Sequence, residues 1–137
     1  MATSIIPRIT EQGDRVFESP LMEQLQAYRA RWPEEAATVD DFLQLLADPQ
    51  NPFLRERLEG HFTGGAWLVS ADGRRILLAP HRKLARWLHL GGHADGDTDM
   101  GLVALKEAEE ESGLPDLRLE EPAIFDLDRH WIPERKD

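Results

Sequence analysis

Apolar residues recur at helical spacing in the first third of the chain and in short clusters after it. Leu21, Leu25, Tyr28 and Trp32 fall three or four apart, which predicts an amphipathic helix. Ser19-Pro20 supplies a cap and a proline at its first helical position, and Pro33 stops it. Val39, Phe42, Leu43, Leu45 and Leu46 predict a second helix over 34–47. A third, short helix is predicted over 52–58, between the Asp48-Pro49 break and Gly60. Ahead of these, residues 1–19 are polar and irregular and read as a loose arm. Beyond Gly60 the pattern shortens. Apolar runs at 66–69 and 76–79 flank Asp72-Gly73, a hairpin signal. Residues 84–90 read as a loop with a short strand carrying Trp87, broken by Gly91-Gly92. Residues 99–112 predict a helix capped by Asp97, Thr98 or Asp99 and ended by Gly113 with Pro115 close behind. Segments 117–119 and 124–131 predict strands. A helical front followed by hairpin, loop, helix and strand predicts an α+β or α/β sandwich. The natural division is 1–60, arm and helical extension, and 61–137, the mixed domain.

Composition narrows the classes. At 137 residues with 41% hydrophobic side chains, the chain is long enough for one folded domain. The absence of cysteine excludes disulfides, thiolate metal sites and Cys nucleophiles. Apolar runs are too short to span a bilayer, so no membrane partner is expected. The first residues lack a secretory pattern, which makes the cytoplasm the expected location. The net charge of −10 argues against a nucleic acid polymer as partner. That charge is uneven: residues 1–60 carry −5, residues 61–90 carry +4 and residues 91–137 carry −9. A basic block thus precedes a strongly acidic one, either as solvated surface or as a site using cations and carboxylates together.

Glu107, Glu110 and Glu111 are spaced i, i+3, i+4, so a helix brings them to one face, with Cβ atoms about 5–6 Å apart. They continue the stripe of Met100, Val103 and Ala104 rather than opposing it. Either they enter a cleft, or the buried face is the one with Leu102 and Leu105. Alone, the three glutamates would be a solvated acidic patch; a divalent cation would relieve their repulsion. Asp95, Asp97 and Asp99 alternate like the start of an EF-hand loop, but Met100 and Lys106 stand at its glycine and glutamate positions. His89 and His93 flank the double glycine with no third ligand evident, which favours packing or hydrogen bonding. Trp87 reads as core more readily than as a stacking platform.

The stretch Gly92 to Leu114 resembles the box of the Nudix hydrolases, G-x5-E-x7-R-E-U-x-E-E-x-G-U, with U aliphatic. Gly92, Glu107, Glu110, Glu111, Gly113 and Leu114 are in register. Lys106 stands for the arginine, Ala108 for the bulkier aliphatic residue and Thr98 for the first glutamate. The likeness extends from about Gly60 onward to one bacterial subgroup, whose extension the helical front resembles. It implies an α/β/α sandwich with a mixed sheet that holds Mg²⁺ or Mn²⁺. It also implies hydrolysis of a nucleoside diphosphate linked to another moiety, by metal-activated water attack at phosphorus. Glu107, Glu110 and Glu111 match the metal-binding glutamates, and the Gly91 carbonyl matches the backbone ligand. Lys106 matches the residue that pairs with a neighbouring carboxylate to hold the box together. Asp97 or Asp99 would substitute in part for the glutamate lost at Thr98. Just before the box, Arg82, Lys83, Arg86 and His93 become candidate contacts for the diphosphate. The replacements at Thr98 and Lys106 predict reduced activity, and the alternative is a nucleotide-binding or regulatory module with weak or no catalysis. Only 23 residues follow Leu114, fewer than the family's remaining elements use. A sheet edge left open there would favour pairing of two copies of the chain.

Overall fold

The computed structural model describes residues 2–81 and 86–130. Its centre is β3 (His61–Val69), which is buried along nearly its whole length. The chain before the helices is not an arm: Ala2–Ile6 forms β1 and Arg8–Thr10 forms β2. Both run parallel to β3, with Ile5 beside Gly64 and Ile9 beside Leu68. Pro7 separates them because proline has no N–H to give the ladder, although its carbonyl still accepts from the Trp67 amide at 3.2 Å. Asp126–His130 (β9) lies antiparallel on β1, and Arg118–Leu119 (β8) antiparallel on β2. Across β3, Leu90–His93 (β7) and Ile76–Leu77 (β4) are its antiparallel partners. The sheet is therefore mixed, and it draws strands from both sides of residue 60.

Among the described residues three α-helices complete an α+β fold: α1 (Leu21–Arg31), α2 (Ala36–Leu46) and α3 (Met100–Ser112). A turn of 3-10 helix, Pro33–Glu35, links the first two. Strand alternation assigns their side of the sheet. Phe62 packs on Phe42 of α2 and on Phe53, with ring centroids 6.3 and 5.1 Å apart. Two residues on, Gly64 lies under Val103 of α3. Ala66 and Leu68 join Ala104, Leu105 and Ala108 in one buried cluster, while Leu25 and Tyr28 of α1 join Ile5 and Leu127 in the other. All three helices thus pack on one sheet face. None of them, among the described residues, is long and apolar enough to cross a membrane.

Several expectations are corrected. Pro20 sits at the N-cap of α1 rather than in its first turn, and the Ser19 hydroxyl accepts from Gln24 Nε2 instead of capping the backbone. Residues 52–58 are a series of turns, not a helix. The amides of Leu54, Arg57 and Gly60 each bond the carbonyl three residues back, and Arg57 ties this segment to the Gly60 carbonyl and to Asp48. Gly91 and Gly92 do not end a strand; they lie within β7, opposite Gly65 and Gly64. Trp87, in the small hairpin of β5 (Ala79–His81) and β6 (Arg86–Leu88), is 65% exposed and not core. The Asp72-Gly73 turn joins β3 to β4 as expected, with Gly73 at φ 74° and the Asp72 carboxylate accepting the Arg74 amide.

Candidate active site

Helix α3 forms where its local signals place it. Asp99 accepts the Leu102 amide at 3.0 Å, and Gly113 closes the C-terminus with φ 76°. Asp97 accepts the Asp99 amide at 2.9 Å, so both carboxylates have structural roles beside exposed Thr98. The buried stripe is Met100, Val103 and Ala104 with Leu105 and Ala108; Leu102 is only half-buried. The glutamates therefore extend the buried face to the end of the helix.

Close packing needs the glycines. A Cβ on Gly64 would lie 2.7 Å from Val103 Cγ1. One on Gly92 would lie 2.6 Å from Glu107 Oε2. With no side chain at either position, α3 settles onto β3 and β7, and the half-buried Glu107 carboxylate rests directly on the β7 backbone. Glu111 reaches the same strand: its Oε1 accepts the Gly91 N–H at 2.9 Å. In an antiparallel ladder the N–H and C=O of one residue point the same way. Because the Gly91 N–H leaves the sheet toward Glu111, its carbonyl also faces that open edge.

The three consecutive glutamates diverge. Glu109 turns away and pairs with Arg15 at 2.6 Å, and Arg15 also donates to the Leu117 carbonyl. Glu110 is exposed. Glu107 has no hydrogen-bond or ion-pair partner among the described residues. Burial raises its pKa, as do the charges of Glu110, Glu111 and Asp95, while Arg55 acts against them. Arg55, from the turns at 51–60, makes a two-pronged pair with Asp95 at 2.7 and 2.8 Å, which holds that carboxyl below its ordinary range. Lys106 is exposed and forms no ion pair among the described residues, so the expected pairing across the box is not made. Arg82 and Lys83, and the side chain of Arg86, lie outside the described residues.

His93 is held by a residue the sequence did not single out. His61 Nε2 lies 3.0 Å from His93 Nδ1, and His61 Nδ1 lies 3.3 Å from the Arg57 carbonyl. The carbonyl only accepts, so His61 carries its proton on Nδ1. Burial lowers the His61 pKa; in its neutral form its Nε2 accepts from Nδ1–H of His93. A lone histidine opening a β-branched and glycine-rich strand was the available signal.

Among the described residues no three His, Asp or Glu side chains are placed to hold a metal ion. The chemistry of the donor set nevertheless fits a hard cation. Glu107, Glu110 and Glu111 lie in the last two turns of α3, toward the negative end of the helix dipole, and the last turn holds no basic residue to offset it. A half-buried carboxylate without a partner adds to that unfavourable charge, and a backbone carbonyl faces the same edge. No protein-family model, curated protein or solved structure matches this chain.

Proposed function

We propose that this chain is a Nudix-type pyrophosphohydrolase on a Nudix-like mixed-sheet fold, cleaving the diphosphate bond of a nucleoside diphosphate linked to another moiety. The observation that carries the reading is the placement of Glu107 and Glu111 on the bare Gly91-Gly92 backbone, in register with the box. Glu107, Glu110, Glu111 and the Gly91 carbonyl would hold Mg²⁺ or Mn²⁺, which supplies charge neutralisation at the diphosphate and a more acidic water.

The chain's own residues do the positioning. Glu111 is fixed by the Gly91 amide, and Glu107 by its seat on Gly92. The glycines leave the β7 edge without side chains, so phosphate oxygens can approach the backbone. Arg55 anchors the loop through Asp95 and places a guanidinium charge where Glu107 senses it. His93, with its Nδ1–H directed to His61, and the basic residues Arg82, Lys83 and Arg86 are the proposed diphosphate contacts.

The test is release of phosphate or nucleotide from a panel of diphosphates with Mg²⁺. Turnover by the native chain and a loss of at least about 100-fold in Glu110→Gln and Glu111→Gln is the expected result. One observation favours a second reading: Thr98 offers no carboxylate where the box has its first glutamate. Nucleotide binding without turnover would establish the binding-module alternative. Neither binding nor turnover would remove both readings.

A further inference from the structure

The sheet face turned away from the helices carries chemistry that, His93 and its partner His61 apart, the diphosphate site does not use. Alternation along β3 puts His61, Thr63, Gly65 and Trp67 there, and register adds Ser4 and His93 beside Thr63 and Asp128 beside Ser4. Asp126 lies beside Ile6, and His130 beside Ala2. The His89 ring lies over Gly65, where a Cβ would be 2.7 Å from it. Four of the chain's five histidines therefore gather on one face.

The polar groups on this face are largely compensated. The Ser4 and Thr63 hydroxyls bond each other at 2.7 Å, and Asp128 pairs with His130 at 2.9 Å. Asp126 accepts the Leu127 amide at 2.9 Å and faces the Trp67 indole N–H. Burial raises the Asp126 pKa, which weakens the charge on that carboxyl. Two carboxylates make the face a poor one for an anion. What remains is aromatic surface: half-buried Trp67 and His89 rings tilted at 45° with centroids 5.9 Å apart, beside a carboxyl group. Flat π-faces next to hydrogen-bonding groups suit a planar heterocycle, because stacking is indifferent to sequence and the polar edge discriminates.

We propose that this face is a heterocycle-binding site, taking an uncharged nucleobase against Trp67 and His89 with its polar edge toward Asp126. Its link to the diphosphate rests on the hydrolase reading. The two sites meet at β7, where His89 and Gly91 are two residues apart and the glycines keep the strand bare. A ligand can thus pass from the face, around the edge, to Glu111.

The experiment is calorimetric titration of the full chain with adenosine, guanosine, cytidine and uridine, with ribose as control. At least one nucleoside should bind at about 1 mM or tighter and ribose should not. His89→Ala and Trp67→Phe should each weaken that binding about tenfold. Asp126→Asn, which keeps the shape, should reorder the four nucleosides. Saturation-transfer NMR on the native chain needs no variant: base protons should receive more saturation than ribose protons. No nucleoside binding, unchanged affinity in all three variants, or saturation confined to ribose overturns the site. Hydrolysis of the diphosphate panel is read separately. Nucleoside binding with this variant pattern but no turnover leaves the site standing and removes the hydrolase. Equal turnover of diphosphates with and without a base, together with no nucleoside binding, does the reverse.

Discussion

Glu109, Glu110 and Glu111 are identical in chemistry and adjacent in sequence, yet α3 gives each a different task. Glu109 is structural. Arg15 beside it holds its carboxyl below the usual range, and its other oxygen accepts the Asp116 amide at 3.0 Å. A carboxylate with a lowered folded-state pKa stabilises the fold above its unfolded value and loses that contribution as pH falls through the folded one. Glu109→Gln should therefore cost about 1–2 kcal/mol at pH 7 in urea unfolding, with the gap from the native chain closing below about pH 4. A gap independent of pH would mean that the Arg15 pair contributes nothing. The glycines divide in the same way. Gly113 has open space around it but a left-handed φ, so Gly113→Ala should cost about 1–2 kcal/mol through backbone strain alone. Gly92→Ala meets the Glu107 carboxylate, so it should cost about 1–3 kcal/mol and also displace a residue of the proposed site. Only the second should change the response to Mg²⁺, read as thermal melts of both variants with and without the ion.

At the level of elements, the largest departure from the sequence reading is the N-terminal strand pair. Ile5 and Ile9 are fully buried in the two core clusters. Ile5→Ala and Ile9→Ala should each destabilise by about 2–5 kcal/mol in denaturant unfolding, whereas a loose arm would leave stability unchanged. The β-branched run Thr3, Ile5, Ile6, Ile9 and Thr10 was a legible strand signal. Pro7 and the polar Thr3-Ser4 masked it, because β1 is buried on both faces and Ser4 finds its partner 59 residues away. Helix α3 and the β3–β4 hairpin were readable because their caps and turn are local. Residues 52–58 were not: their turns depend on the Arg57 guanidinium reaching Asp48. Gly91-Gly92 read as a break because glycine usually is one; here it is demanded by a helix lying against the strand. Of the candidate site, the glutamate spacing was fully visible, whereas Arg55 and His61 enter only through tertiary contact.

For the whole molecule, the −10 charge becomes a question of where repulsion is concentrated. Much of the acidic surface is paired, as by Arg8 with Glu120, Arg129 with Asp41 and Arg57 with Asp48. The end of α3 is different: Glu107 is unpartnered among the described residues, and three glutamates crowd the negative pole of the helix. Such an arrangement destabilises the fold unless a cation joins it. Two consequences separate a cation site from a diffuse acidic surface. Without divalent ions, Glu107→Gln should raise thermal stability by up to about 1 kcal/mol, because it removes a half-buried charge at the helix's negative end. With Mg²⁺, the native chain should gain about 2.7 kcal/mol at a hundredfold excess over the dissociation constant, and Glu107→Gln should lose most of that gain. Sodium chloride at matched ionic strength supplies the screening control. If it stabilises the native chain as much as Mg²⁺ does, the acidic end of α3 is ordinary surface charge. If Mg²⁺ alone acts, and only through Glu107, the imbalance in the chain's charge belongs to a site.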